Sequence, residues 1–307
     1  EVNFTNNNKH KNKIFLKKDK EKYKIYGKSF DATKLIDEIL DSDKNEKAFS
    51  FLENFNSNLK ININKTYLDK DTYVNDLIGY AVFKNSKINK LTLDATFPNQ
   101  KKLNLTINTN ENKDKITTLF SNYPKPLIKR YKFIKGFEEG VLDFYSIKKG
   151  NFSNSLLKID NFKVQEVPVL AKLLTLASLQ GIADLLTGEG IRFTDLEMKF
   201  SNENNLTTID EMYAIGPAIS ILLDGYIESK KIVSLRGTLV PATTINKTIA
   251  SIPLLGDILV GKKVGEGIFG VSFKLKGPPK DIKTTVNPIK TLTPRFITRT
   301  LEKIKKN

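Results

Sequence analysis

The 307-residue chain has no cysteine, no tryptophan, two methionines and one histidine, and these absences remove much of the catalytic repertoire. Without a thiol there is no Cys nucleophile, no thiolate metal site and no disulfide. A single histidine, His10 in a Lys/Asn-rich tail, leaves no multi-His metal site and no Ser-His-Asp triad. No run of about twenty apolar residues and no signal peptide occurs in it. A first residue that is Glu rather than Met reads as a piece of a longer or processed chain. What remains is carboxylate or lysine chemistry or none, and the expectation is a non-enzyme with no catalytic residue, no metal and no cofactor.

What is present is the composition of a folded protein, 39% apolar and 27% charged. The net charge of +16, from 50 Lys+Arg against 34 Asp+Glu, in isolation suggests a polyanionic partner. Yet the 29 Asn, with abundant Lys and Ile, are the mix an AT-rich genome imposes on any surface. No aromatic/glycine RNA-binding signature interleaves the basic residues, so nucleic acid is not expected as a partner.

From residue 13 to about 110 the dominant pattern is period two, the mark of strands with one buried face. Leu59, Ile61 and Ile63 alternate with Lys60, Asn62 and Asn64. Leu91, Leu93, Ala95 and Phe97 do the same, as do Leu103, Leu105 and Ile107. Such strands are antiparallel, apolar on one side and wet on the other. One short helix interrupts them, with Asp31 as N-cap and Leu35, Ile36, Ile39 and Leu40 at helical spacing.

Residues 115 to 165 read as further strands, broken at Tyr123-Pro124-Lys125-Pro126. Two inserts then stand out, 167–187 and 245–261, each apolar nearly all round and read as helical. Between and after them strands are expected at 191–200, 206–213, 218–227, 231–240 and 267–277. A final helix opens at Thr293-Pro294, with Ile297, Leu301 and Ile304 opposite Arg295, Arg299, Lys303 and Lys306. The expected division is 1–135, strands with one short helix, and 136–307, with the inserts and the basic helix.

Two glycine motifs fail on context. Gly265 to Gly270 spells GxGxxG, but an alternating VSFKLKG follows where a phosphate-binding helix is required. Gly256 to Lys262 approaches a phosphate loop, but Lys263 stands where Ser or Thr belongs. The carboxylate pairs Glu138 with Glu139 and Glu189 near Asp195 read as solvated turns beside Gly140 and Gly190. From pattern alone, the apolar faces are covered either by two sheets closing as a sandwich or by one long sheet that curls around an apolar gutter. The sandwich is the simpler of the two, because monomers rarely expose large apolar patches.

Three blocks carry a family resemblance that shifts this balance: IDNFKVQEVPVLAKLLTLASLQGIADLLTGEGIRF at 159–193, LRGTLVPATTINKTIASIPLLGDILVG at 235–261, and GEGIFGVSFKLKGPPKDIKTTVNPIKTLTP at 265–294. In this order, over about 136 to 300, they resemble the late segment of AsmA-like proteins, in particular the alphaproteobacterial branch allied to YhdP. Residues 13–135 match in texture only. The chain departs from the family at Asp281-Ile282, where Asp-Pro is usual, and at Pro294-Arg295, where Pro-Gly is usual.

The resemblance implies a mostly β protein whose long curled antiparallel sheet forms an apolar groove, with short apolar helices near the C-terminal end. It implies a periplasmic location, tethered to the inner membrane in the full-length protein, and carriage of phospholipid between the inner and outer membranes. Groove lining is then expected from Leu59, Ile61, Ile63, Leu91, Leu93, Phe97, Leu103, Leu105 and Ile107. Contact with a membrane surface or an envelope protein partner is expected from Leu170, Leu173, Leu174, Ile252, Leu254, Leu255, Arg295, Arg299 and Lys303. The alternative is a non-transporting envelope scaffold or outer-membrane assembly factor, in which the same strands only pack and dock.

Overall fold

The computed structural model describes residues 1–5, 9–20, 22–40, 55–129, 136–176, 184, 188–241, 270–279 and 281–289. Among the described residues sixteen strands form one sheet in which each strand lies beside its successor in the chain. They are β1 (Val2–Thr5), β2 (Lys11–Asp19), β3 (Lys22–Asp31), β4 (Ser57–Tyr67), β5 (Tyr73–Lys84), β6 (Lys87–Thr96), β7 (Lys102–Thr109) and β8 (Lys115–Ser121). They continue as β9 (Gly136–Lys149), β10 (Phe152–Gln165), β11 (Ile191–Glu203), β12 (Leu206–Ile215), β13 (Ile219–Glu228), β14 (Ile232–Pro241), β15 (Gly270–Gly277) and β16 (Lys283–Ile289). The order runs from β1 to β16 without the two end strands pairing, so the sheet is not closed into a barrel. The helices among the described residues are short: α1 (Thr33–Leu40), α2 (Lys125–Ile128) and α3 (Pro168–Leu176). The mostly β architecture with few short helices is therefore as expected, and one sheet replaces the two of a sandwich.

The β3–β4 pairing departs from the antiparallel expectation. β3 and β4 run parallel, with Ile25 opposite Ile61 and Gly27 opposite Ile63. The connection is long enough to allow this: the chain leaves β3 through α1 and returns only at Ser57, and a parallel return needs a crossover of a dozen or more residues. The N-cap also shifts by one residue. The Ala32 carbonyl accepts the first helical bond, from Ile36 N–H at 2.9 Å. Asp31 is the last residue of β3, and its Oδ1 accepts from Thr33 N–H at 2.9 Å, so it still satisfies a free donor of the first turn.

The chain forms two compact units, Glu1–Pro126 with Val141–Ser155, and Leu127–Gly140 with Leu156–Asn307. In the second unit, Phe137, Phe162 and Phe193 stack across β9, β10 and β11 with ring centroids 5.4 and 5.3 Å apart, and all three are buried. The apolar alternation of β11 to β15 aligns in register as Leu196, Ala214, Ile221, Leu239 and Val271. Beside it runs Met198, Met212, Leu223, Gly237 and Phe273. Gly237 has no room for a side chain, because a Cβ there would meet the Leu222 carbonyl, Phe273 Cζ at 2.5 Å and Leu223 Cβ at 2.9 Å. Gly237→Ala is expected to destabilise by about 1–3 kcal/mol, the cost of forcing a methyl into a filled position, measurable by urea unfolding.

The opposite face of this unit carries a charge network. Glu197 on β11 accepts from the Tyr213 hydroxyl at 2.9 Å and lies 3.3 Å from Lys158 Nζ and 3.6 Å from Lys199 Nζ. Burial alone would raise the Glu197 carboxyl, but the Tyr213 hydrogen bond and the two ammonium groups outweigh it and hold the group below its ordinary value. A carboxyl depressed in the folded state adds stability above the unfolded value of about 4.3, and this is lost as pH falls below it. Tyr213→Phe is therefore expected to cost about 1–2 kcal/mol at pH 7 and progressively less in acid, so that unfolding midpoints of variant and wild type converge towards pH 3.

Candidate functional site

In the first unit, cross-strand register turns the period-two pattern into rows. Residues directly opposite one another share a face, so each cross-strand pair extends the row by one strand. One row runs Leu16, Ile25, Ile61, Gly79, Leu93, Leu105, Leu119 and Phe144, from β2 to β9. A second, beside it, runs Tyr23, Leu59, Ala81, Leu91, Ile107, Thr117 and Ser146. Ile63 and Leu77 continue the face on β4 and β5, and Ala95, Leu103, Ser121 and Leu142 continue it on β6 to β9.

The reverse face is of another kind. Its row is Lys17, Lys24, Lys60, Tyr80, Thr92, Thr106, Thr118 and Tyr145. There Thr106 and Thr118 share a hydrogen bond of 2.6 Å between hydroxyls. A single layer with one aliphatic and one hydroxylated, cationic face is what strict alternation produces when only one face avoids water.

The apolar face is not buried evenly. Val74, Ala95 and Phe97 form a buried cluster packed by Leu68, Leu77, Leu103 and Tyr123. Ala81, Phe83 and Leu91 form another, packed by Phe55, Leu59, Ile88, Leu93, Leu105 and Ile107. Edge-to-face rings close these clusters, Phe97 on Tyr123 at 5.1 Å and Phe55 on Phe83 at 5.4 Å. Leu93, Leu103, Leu105, Ile107, Leu119 and Phe144 remain half-buried, a strip of aliphatic and aromatic surface that still meets solvent. All nine residues expected to line a groove thus lie in this unit. Leu59, Ile61, Ile63, Leu91, Leu93, Leu103, Leu105 and Ile107 share the face by register, and Phe97 packs in the cluster at one end.

The second expected group is placed differently. On α3, which begins at Pro168 as the sequence suggests, Leu170, Leu173 and Leu174 are buried, while Lys172, Thr175 and Leu176 are exposed. These three leucines pack inward rather than offering a surface. Ile252, Leu254, Leu255, Arg295, Arg299 and Lys303 lie outside the described residues, as do insert 245–261 and the terminal helix. Of the GxGxxG motif only Gly270 is described, and the segment after it is strand β15, not a helix. Glu139 is exposed and held in a bidentate pair by Arg192, at 2.7 and 3.1 Å, which is an ion pair across strands rather than an acid/base dyad.

His10, set aside in the sequence as a tail residue, is buried in a polar cluster at the β1 end of the sheet. Its Nδ1 lies 2.6 Å from Asp31 Oδ2, its Nε2 donates to the Lys70 carbonyl at 3.0 Å, and its ring stacks on Tyr67 with centroids 3.7 Å apart. Asn12, fully buried, accepts from Asp31 N–H at 2.7 Å and donates to the His10 carbonyl at 3.3 Å. Three chain segments are clasped there: the lead into β2, the β3–α1 junction and the β4–β5 turn.

Among the described residues no group of three or more His, Cys, Asp or Glu is placed to hold a metal, and no helix is long and apolar enough to cross a membrane. No family model, curated protein or solved structure matches this chain.

Proposed function

We propose that the apolar face of the first unit carries the acyl chains of phospholipids, and that the chain is part of an envelope lipid-transfer protein working between two membranes. One observation supports this above the others: a row of apolar positions crosses eight successive strands, and its middle is half-open instead of sealed under a second sheet. Aliphatic surface left in water is costly, and an acyl chain laid along it removes about 0.8 kcal/mol of that cost per buried CH₂. Carriage of this kind makes and breaks no covalent bond, and the protein side needs only an apolar track beside a wet edge. The resemblance to AsmA-like proteins and the periplasmic setting it implies fit the same role.

The test is direct pickup. Incubated with phosphatidylcholine vesicles holding a trace of acyl-labelled lipid and then separated from them, the chain is expected to retain label in amounts that saturate at a fixed lipid-to-protein ratio. Native mass spectrometry of the recovered protein is expected to show added masses of intact phospholipid. Protein recovered free of lipid under both measurements would favour the scaffold reading, in which this face only packs.

A further inference from the structure

The apolar face of the first unit ends in a gradient at one end of β7, β8 and β9. Along β8 the same-face positions read Leu119, Thr117, Lys115, and along β9 they read Phe144, Ser146, Lys148. On β7 the partner of Lys115 is Thr109. Ser155 donates to the Ser146 hydroxyl at 2.9 Å, so hydroxyl groups form a belt between the aliphatic strip and the lysines. Same-face positions on a strand are about 6.7 Å apart, and aliphatic surface, hydroxyl and ammonium therefore follow one another within about 13 Å.

Lys115 and Lys148 stand directly opposite each other, an arrangement of like charges that weakens a sheet. Lys115 is half-buried, and no carboxylate among the described residues lies within 4 Å of Lys115, Lys148 or Lys87. The nearest acid in sequence, Asp114, is engaged by Lys149 at 3.5 Å and by Asn110. Desolvation, then Lys148, then Lys87 at the β5–β6 hairpin, lowers the Lys115 ammonium from its ordinary value, so among the described residues three ammonium groups gather at this edge.

We propose that Lys115 and Lys148, assisted by Lys87, bind the phosphate of an anionic phospholipid whose acyl chains lie on Leu105, Leu119 and Phe144. The proposal rests on the acyl-chain reading above and adds a head-group preference to it. A phosphate between the two ammonium groups relieves their repulsion, and the hydroxyl belt meets the glycerol ester oxygens. A choline head group brings its own cation to the same lysines and is disfavoured.

Pickup of acyl-labelled phosphatidylglycerol and phosphatidylcholine, each from phosphatidylcholine vesicles at low salt, separates the two ideas. Wild type is expected to take the anionic lipid about tenfold better. Lys115→Gln with Lys148→Gln is expected to bring it down to the phosphatidylcholine level, so that the variant takes the two lipids equally. Because Lys148→Gln removes a like-charge pair, its thermal midpoint is expected to be equal to or above wild type, which excludes misfolding as the cause. Lys17→Gln with Lys24→Gln on the reverse face is expected to keep the preference. Equal pickup of the two lipids by wild type, or a preference lost with the reverse-face pair and kept by the Lys115/Lys148 pair, would overturn the head-group proposal and leave the acyl-chain reading standing. No pickup of either lipid by wild type would overturn both.

Discussion

Leu105→Glu is expected to reduce phospholipid pickup by about tenfold or more, while Thr92→Glu, one strand away on the reverse face, leaves it within about twofold of wild type. Leu105 lies in the middle of the row that runs from Leu16 to Phe144, with Leu93 on one side and Leu119 on the other. A carboxylate there is forced either to lose its hydration against acyl chains, costing several kcal/mol, or to keep water in the strip and displace the chains. Leu105 is half-buried, so the new charge reaches solvent when no lipid is bound and the fold is retained. Thr92 stands between Tyr80 and Thr106 on the hydroxylated face, where a charge costs little. The pairing matters more than either variant alone. A general loss of stability would affect both, whereas a lipid track on one face affects one.

The second large effect concerns stability. His10→Ala is expected to cost about 3 kcal/mol of unfolding free energy, measured as a lower urea midpoint at unchanged slope. Removing the ring leaves Asp31 buried without the partner 2.6 Å from its Oδ2, exposes the stacked face of Tyr67 and frees the Lys70 carbonyl. Asp31→Asn keeps the shape and the helix-capping acceptor but not the charge. Its expected loss is smaller, about 1–2 kcal/mol. Neither variant touches the apolar face, so lipid pickup per folded molecule is expected to stay at the wild-type level.

The apolar face was legible in the sequence because a strand with one wet side writes its burial directly into alternate positions. Leu91, Leu93, Leu103, Leu105 and Ile107 are all odd-numbered, and a register slip of one residue would have put every one of them on the wrong side. That these strands lie in one layer was less legible, since alternation reports which residues avoid water and is silent on what covers them. The parallel β3–β4 pair was hidden for a related reason. Leu35, Ile36, Ile39 and Leu40 announce a helix, but a helix between two alternating segments fits a hairpin-like excursion as well as a crossover.

The clasp at His10 left no signal at all. Its partners are 21 and 60 residues away, and a lone histidine among Lys and Asn has no spacing to read. Lys115 and Lys148 were equally silent in a chain with 50 Lys and Arg, because only the β8–β9 register shows that these two share a row, beside Thr117 and Ser146. The inward packing of Leu170, Leu173 and Leu174 follows from ordinary physics, since the apolar side of a helix is stable chiefly when it is covered.

Photocrosslinking measures the central claim directly. With p-benzoylphenylalanine placed singly at positions 93, 105 and 119 on the apolar row, and at 92, 106 and 118 on the reverse face, the chain is exposed to vesicles containing radiolabelled phospholipid and irradiated. The expected result is lipid adducts from the three odd-numbered positions and none above background from the three even-numbered ones. Adducts of equal yield from both faces, or none from positions 93, 105 and 119, would contradict a lipid track on this sheet.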